Sequence, residues 1–281
     1  MLSNNHDQVI ILITMITMTS VLAALSLRGL FASFPHAQAS SAVVPRAEEV
    51  SSPFPPTPEG LTVIQSLVHP NVSISYKEPG ICETTPDVKS YSGYVHLPPY
   101  VSTDLDESQD YPLNTFFWFF ESRNDPSNAP LVIVLNGGPG GASTSMATSN
   151  LGPCLVEPAS NSTRLNPWSW NNNANLLFID QPNFVGFSYD VLTNVTVRKS
   201  LIQPADFASG IPAQTNSFRI GVTGSQEILR TANSTDHAAM AIWHFAQTWF
   251  SEQVNVLQSP AAGANELPDS HNTNQTTRRF Q

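Results

Sequence analysis

Basic residues are scarce in this chain, and charged residues of either sign are uncommon. Lys and Arg number 12 against 22 Asp and Glu, so the formal net charge is −10, and charged residues make up 12% of the 281 positions. A nucleic-acid-binding domain needs a basic patch, so we expect no nucleic-acid partner. The acidic balance suits a secreted protein in mildly acidic surroundings, although charge informs solubility more than fold.

Cysteine is nearly absent, since the sequence contains only Cys82 and Cys154. In an oxidising compartment these two could pair with each other, or each could belong with a partner beyond the end of this chain. His237 and His244 fall in one predicted helix, but no Cys or Glu stands at metal-ligand spacing beside them. We therefore expect neither a metal site nor an organic cofactor.

Residues Val9 to Leu27 are almost wholly apolar, and Ala37-Gln38-Ala39 follows them. An apolar stretch before an A-x-A pattern indicates a secretory signal peptide, which we place at residues 1–39. The stretch is also long enough to span a bilayer, which takes about 20 residues, and no Lys or Arg precedes it. An uncleaved anchor at residues 9–27 is therefore the alternative, and a membrane is a partner only in that case.

Five N-x-[ST] sequons support the secretory pathway. Their asparagines are Asn71, Asn161, Asn194, Asn233 and Asn274. We therefore expect a glycoprotein that is secreted or delivered to the vacuole. Residues 40–60 are rich in Pro, Ser and Glu, a composition that does not build a core, so we interpret them as a linker and place the start of the folded part near Leu61.

Two apolar runs, at residues 131–135 and 175–180, show no alternation of polar and apolar residues. Such runs predict strands that are buried on both faces, as in a parallel sheet. Ahead of them, residues 91–97 and 114–121 are rich in Tyr, Val, Phe and Trp, which predicts two antiparallel strands. Together the four segments predict an α/β fold.

The run at residues 131–135 leads directly into a glycine-rich turn, Asn-Gly-Gly-Pro-Gly-Gly, at residues 136–141. Because glycine has no Cβ, the backbone N–H groups of such a turn can approach a ligand closely. Preorganised donors at the end of a strand stabilise an oxyanion during acyl transfer. The alternative interpretation is a tight turn that has no chemical role.

A helix is predicted from Thr235, which serves as a candidate N-cap ahead of Asp236 in the first turn. Apolar residues recur on one face of it, at Ala238, Ile242, Phe245, Ala246 and Trp249. The pattern ends near Glu252. Residues 194–234 show little periodicity and predict a loop-rich insertion, while residues 253–281 predict a disordered or unrelated tail.

Five segments together resemble the serine carboxypeptidases, a family with the α/β-hydrolase fold, and they resemble its fungal secreted branch most. They follow the family's order, cover about two thirds of the chain and include the turn Asn136-Gly137-Gly138-Pro139-Gly140; their bounds are residues 81–98, 116–141, 151–154, 166–190 and 231–252. The resemblance implies an α/β-hydrolase-like, mostly parallel sheet with antiparallel N-terminal strands. It places the N-terminal portion of this fold at residues 61–252, so the fold would be incomplete.

The resemblance also implies roles for the glycine-rich turn. Asn136 would hydrogen-bond the C-terminal carboxylate of a peptide substrate, Gly138 would donate its N–H to the oxyanion, and Gly137 would fix the approach. Asp180 would shape the floor of the site rather than act as the catalytic acid. Three positions depart from the family pattern: Val134 replaces a usual Trp, Gly141 a usual Cys and Asn150 a frequent Glu.

The nucleophile of the family is missing from this chain. In the family, a Glu-Ser-Tyr turn carrying the nucleophilic serine follows shortly after the helix, and the acid and base of the triad come later. Residues 254–281 contain no such turn. Ser143, Ser188 and Ser225 lie in elbow-like contexts, but we interpret each as a structural hydroxyl, and no Ser/His/Asp set can be assembled.

The resemblance therefore implies a serine-type carboxypeptidase, which hydrolyses C-terminal residues of peptides through an acyl-enzyme, in a chain that is inactive alone. The alternative is a secreted, non-catalytic glycoprotein that binds peptide termini. In either case the strands at residues 131–135 and 175–180 would lack later neighbours. We expect an unpaired apolar edge there, which favours aggregation.

Overall fold

The computed structural model describes residues 9–14, 55, 58–66, 69, 71–101, 109–208 and 210–258. Its strands are β1 (Val9–Thr14), β2 (Thr62–Gln65), β3 (Ser73–Lys77), β4 (Ser90–Leu97), β5 (Leu113–Phe120), β6 (Leu131–Asn136), β7 (Cys154–Val156), β8 (Thr163–Leu165), β9 (Asn175–Ile179), β10 (Thr193–Arg198), β11 (Leu201–Pro204) and β12 (Phe218–Thr223). Its helices are α1 (Thr144–Ala147), a 3-10 turn (Trp170–Asn172) and α2 (Thr235–Gln258).

The main sheet has seven strands in the order β1-β6-β9-β5-β4-β3-β2. Strand β6 pairs in parallel with both β1 and β9, whereas β9, β5, β4, β3 and β2 pair antiparallel in succession. The predicted α/β-hydrolase-like fold, with antiparallel strands ahead of parallel ones, is confirmed. Within the described residues the antiparallel part of this mixed sheet is the larger, because β2 to β5 form one continuous antiparallel meander.

The strands form where their side chains can be buried. Five of the six residues of β6 are buried, as expected for a strand covered on both faces. Strands β4 and β5 alternate buried and half-buried positions, because one face meets the core under α2. There Phe117 contacts the rings of Phe245 and Trp249, at centroid distances of 6.2 and 6.5 Å. The helix therefore covers the face of the sheet that the alternation predicts to be apolar.

Helix α2 begins at the predicted residue, but its cap and its end differ from the prediction. The Oγ atom of Ser234 accepts a hydrogen bond from the N–H of His237 at 3.2 Å, so Ser234 rather than Thr235 is the N-cap. The helix continues past Glu252 to Gln258. Residues 253–258 contain neither Gly nor Pro, and the first helix breaker is Pro260. The helix therefore extends six residues beyond the point where the apolar pattern ends.

The predicted loop-rich insertion at residues 194–234 is wrong in part, because β10, β11 and β12 form a three-stranded antiparallel sheet. All four residues of β11 are exposed, and β10 buries one of its six. Strands that bury so little carry no continuous apolar run or clean alternation, so periodicity gives little signal for them.

Strand β1 comes from the apolar stretch that predicts a signal peptide. It aligns with β6 in parallel from Val9 opposite Leu131 to Thr14 opposite Asn136, so the predicted unpaired edge of β6 is covered. Residues 15–54, the chain after residue 258 and the sequon at Asn274 lie outside the described residues. Among the helices that are described, none has the length and apolar character needed to cross a membrane.

Candidate active site

The glycine-rich turn connects the end of β6 to the short helix α1. Asn136 is the last residue of β6, and its backbone N–H donates to the Oγ of buried Ser143, 3.0 Å away, on the far side of the turn. Gly138 is exposed and has a φ of 141°, which favours glycine. Its N–H makes no hydrogen bond within the described part of the chain. The turn thus presents a free backbone donor at the carboxyl end of a buried strand.

The side chain of Asn136 is held inside the turn. Its Oδ1 accepts from the N–H of Gly137 at 2.9 Å, and its Nδ2 donates to the carbonyl of Ala142 at 3.2 Å. An amide nitrogen carries two hydrogens, and the second finds no acceptor among the residues described. The orientation of Asn136 is therefore fixed, with one N–H left for a ligand.

Gly141 is required for this closed conformation of the turn. A Cβ at this position would lie 2.6 Å from the carbonyl oxygen of Gly137 and 2.9 Å from Nδ2 of Asn136. A backbone oxygen cannot move aside as a flexible side chain can. The glycine that replaces the cysteine usual in the resembling family therefore allows the turn to close on Asn136.

Asp180 holds the start of α1, the helix that follows the turn, in place. It follows β9, is fully buried, and accepts hydrogen bonds from the N–H and the hydroxyl of Thr144 and from the N–H of Phe187. Gly186 has a φ of 56°, and a Cβ there would overlap the Asp180 carboxylate. All these contacts are internal to the fold. Asp180 acts as a support under α1, the structural role that the resemblance implies.

The three serines in elbow-like contexts are engaged in structural hydrogen bonds. Ser143 accepts from the N–H of Asn136, as described above. Ser188 accepts from the N–H of Phe116 at 2.8 Å and donates to the carbonyl of Asp180 at 2.5 Å. Ser225 donates its hydroxyl to the Asp190 carboxylate at 2.5 Å. None of the three has a histidine as hydrogen-bond partner in the described structure.

A Ser–His–Asn row does occur elsewhere, and no pattern in the sequence predicts it. The Ser75 hydroxyl lies 2.7 Å from Nε2 of His96, and Nδ1 of His96 lies 2.6 Å from Oδ1 of Asn114. Because an amide oxygen only accepts, Nδ1 donates to Asn114, and in the neutral ring Nε2 accepts from the Ser75 hydroxyl. The row crosses β3, β4 and β5, whose N–H groups are used in strand pairing, and β9 separates it from β6. It therefore stands apart from the glycine-rich turn.

A disulfide and a buried ion pair connect several segments of the chain. Both cysteines pack in one cluster with Met146 and Ala147 of α1. Cys82 is bonded to Cys154, with a Cα–Cα distance of 5.0 Å. The adjacent Glu83, whose side chain is fully buried, meets Arg123 at 2.9 Å and accepts from Nδ2 of Asn171 at 2.7 Å. Arg123 also donates to the carbonyls of residues 153 and 166. This network ties four separate segments of the chain together.

The charge on Glu83 is stabilised by its partners. Burial alone would raise the pKa of Glu83, but hydrogen bonds from Thr85, Asn171 and Arg123 outweigh it and hold the pKa below its ordinary value of 4.5. Glu83 thus stays ionised at neutral pH, as a buried partner of Arg123 must. The network serves the frame of the site rather than its chemistry.

The remaining predicted positions lie around the turn or on the surface. Val134, in place of the family's tryptophan, is 2% exposed in the core, and Asn150 is exposed. Three sequon asparagines, Asn71, Asn161 and Asn233, are exposed, and the fourth described one, in β10, is half-buried. Within the described ranges, His, Cys, Asp and Glu side chains form no group of three that could hold a metal ion.

Comparison with known proteins agrees with this geometry. A profile described as "Serine carboxypeptidase" matches residues 79–261. "Carboxypeptidase S1 homolog A" of Arthroderma otae is 56% identical over 201 residues, which are 71% of this chain and 31% of that protein. "Carboxypeptidase Y homolog" of Arthroderma benhamiae is 41% identical over 206 residues, which are 72% of this chain and 32% of that protein.

One solved structure with a measurable likeness is a prohormone-processing carboxypeptidase from Saccharomyces cerevisiae. It is 24% identical, has a TM-score of 0.40, and the match covers 62% of this chain and 31% of that one.

The candidate site thus consists of a glycine-rich turn at the carboxyl end of a buried strand in a mixed sheet. The profile match over more than half of its length shows that the chain belongs to the serine carboxypeptidase family. It spans about a third of the length of the curated relatives it matches.

Proposed function

We propose that residues 136–141 form the part of a carboxypeptidase that receives the C-terminal carboxylate of a peptide. The observation that carries this proposal is the Asn136 side chain, which is fixed by Gly137 and Ala142 and keeps one N–H for a ligand. In the same turn, the N–H of exposed Gly138 would donate to the oxyanion of the scissile carbonyl. The whole protein would then release C-terminal residues through an acyl-enzyme.

We also propose that the chain of 281 residues binds such peptides without cleaving them. The three elbow-like serines are engaged with Asn136, Asp180 and Asp190, and none of them has a histidine partner within the described residues. The four described sequons are exposed or half-buried, which supports a secreted glycoprotein as its setting. The alternative, a non-catalytic protein that binds peptide termini, predicts the same behaviour for this chain.

Binding is tested by titrating the 15N-labelled chain with one peptide in two forms, a free C-terminal acid and a C-terminal amide. We expect the acid to shift the amide signals of Gly137 and Gly138, and to bind at least about tenfold more tightly than the amide, because the amide cannot satisfy the donors of the turn. Mass spectrometry of the peptide after the titration should show no released residue.

Asn136→Ala is the informative variant, and Asn128→Ala, at an exposed turn outside the site, is its matched control. The first should abolish the preference for the free acid and the second should keep it. Equal binding of acid and amide would contradict the carboxylate site. Release of the C-terminal residue would leave that site standing and would contradict the proposed lack of catalysis.

A further inference from the structure

We infer that Val9–Thr14 serves as the chain's own edge strand, which covers the side of β6 that no other described strand pairs with. The segment belongs to the apolar stretch that predicts a signal peptide. This second use of the stretch is structural, and it does not rest on the proposed peptide-binding function.

Among the described strands, the sheet order leaves one place for an additional parallel strand. Strand β9 lies between β6 and β5, so both of its sides are occupied. Strand β6 has β9 on one side, and its other side is where β1 pairs. The far edge of the sheet, at β2, is antiparallel. A segment that extends the parallel part must therefore add beside β6.

The side of β6 that pairs with β1 would be unfavourable to leave unpaired. Residues 131–135 are between 2% and 9% exposed, so the strand is among the most apolar and most buried of the sheet. A flat hydrophobic edge with free N–H and C=O groups pairs readily with other chains. Strand β1 pairs with β6 over its full length of six residues, five of which are β-branched, a composition that favours strands.

Residues 9–14 cannot be both part of a cleaved signal peptide and the edge strand beside β6. Cleavage after residue 39 would remove β1 and expose β6. A strand from a longer chain that joined the parallel part after α2 would have to displace it. The N-terminal segment therefore protects β6 only while it remains attached and no other strand takes its place.

The test uses the intact 281-residue chain, with its mass checked to begin at Met1. Alternate N–H groups of an edge strand face solvent, so Ile11→Pro and Leu12→Pro are made separately, and one of them must remove a bond to β6. Leu25→Pro, in the same apolar stretch but outside β1, is the matched control. Hydrogen exchange of the amides at residues 131–136 is the measurement.

We expect at least one of the two strand variants to speed exchange in β6 by about tenfold or more, while β5 stays protected and the control matches the parent chain. Unchanged exchange of β6 in both variants would overturn the inference. So would slow exchange accompanied by a dimer in sedimentation, since a second copy would then cover the edge.

A second measurement decides the case in which both variants lose their fold. A benzophenone amino acid replaces Leu12 in the otherwise unchanged chain and is irradiated. Crosslinks to the peptide containing residues 131–136 of the same molecule would support the pairing of β1 with β6. Crosslinks that fall only elsewhere, or between molecules, would overturn it.

Discussion

Strands β6 and β10 are both six residues long, yet they hold their sheets together in different ways. Strand β6 buries five residues, whereas β10 buries one. The main sheet is covered by α2, and its core includes Phe117, Phe245 and Trp249. The three-stranded sheet of β10, β11 and β12, called the insertion sheet below, contains the wholly exposed strand β11. One sheet is therefore stabilised by side-chain burial, and the other mainly by backbone pairing.

A buried carboxylate in the loop before β10 bonds to the segment that follows β12. Asp190 has a fully buried side chain, accepts from the N–H and the hydroxyl of Ser225, and faces Arg230 at 3.5 Å. Ser225 follows β12, so these bonds hold the end of the insertion against the main domain. Because little apolar surface supports the insertion, we expect it to open at lower free energy than the main sheet.

The largest effect should come from breaking the core of the main sheet. Phe117 is 0% exposed and packs against two rings of α2, so Phe117→Ala should cost about 4 kcal/mol of unfolding free energy. Phe187→Ala, at a residue that is 62% exposed, is the control and should cost about 1 kcal/mol or less. Urea denaturation measures both, and equal losses would contradict the contrast between burial and exposure.

The second largest loss of stability should come from breaking the buried ion pair beside the disulfide. Glu83→Gln leaves Arg123 without its buried partner and should cost about 3 kcal/mol at pH 7. Glu157→Gln breaks the pair with Arg164, in which the Glu157 side chain is 35% exposed and the Arg164 side chain 56% exposed, and should cost about 0.5 kcal/mol or less. Similar losses in the two variants would show that burial does not set the strength of the Glu83 pair.

Glu83→Gln also tests how the stability of the fold depends on pH. The pKa of Glu83 is lower in the folded protein than its ordinary value of 4.5, so its contribution is present above pH 4.5 and is lost as the pH falls through the folded pKa. The stability difference between the parent chain and Glu83→Gln should therefore shrink below pH 4.5. A difference that stays constant down to pH 3 would contradict this linkage.

The same contrast in burial explains how much of the fold was predictable. The apolar runs of β6 and β9 and the aromatic strands β4 and β5 are predictable because buried strands leave a continuous or alternating pattern. Strands β10 to β12 are not, because polar residues such as Gln203 and Arg219 alternate irregularly with apolar ones at exposed or half-buried positions. Strand β1 lies in the stretch that predicts a signal peptide, because the same apolar residues suit a membrane and a sheet edge.

The candidate site was predictable in its position and not in its details. A strand followed by Asn136-Gly137-Gly138 marks the turn from sequence alone. The closure of Gly141 on Asn136 and the support of Thr144 by Asp180 depend on contacts between distant segments. The Ser75–His96–Asn114 row joins three strands across 39 residues of sequence and has no local signal.

Removing the Asp190 carboxylate, which bonds to Ser225 after β12, should cost less stability, and the loss should be confined to the insertion. Burial alone would raise the pKa of Asp190, but hydrogen bonds from the side chain and backbone of Ser225 hold it below its ordinary value of 3.8. Asp190→Asn removes this charge and should weaken the insertion by about 1–2 kcal/mol. Hydrogen exchange should quicken in residues 193–223 and stay slow in β5.

Asp206→Asn is the matched control, because Asp206 is exposed and accepts only from the N–H of Ala208 among the described residues. It should leave the exchange of both sheets unchanged. If Asp190→Asn unfolds the main sheet together with the insertion, the two regions form one cooperative unit. The expectation that the insertion opens at lower free energy than the main sheet would then be wrong.

The smallest effect should come from the surface of the insertion sheet itself. Ile202 lies opposite Val197 in the pairing of β10 with β11 and is 51% exposed. Ile202→Thr keeps a β-branched residue in the strand, so it should change the unfolding free energy by no more than about 0.5 kcal/mol. The same substitution at Ile133, which is 5% exposed in β6, buries a hydroxyl in an apolar site and should cost about 2–3 kcal/mol. If Ile202→Thr proved as costly as Ile133→Thr, side-chain packing would have to stabilise the insertion sheet as it does the main one.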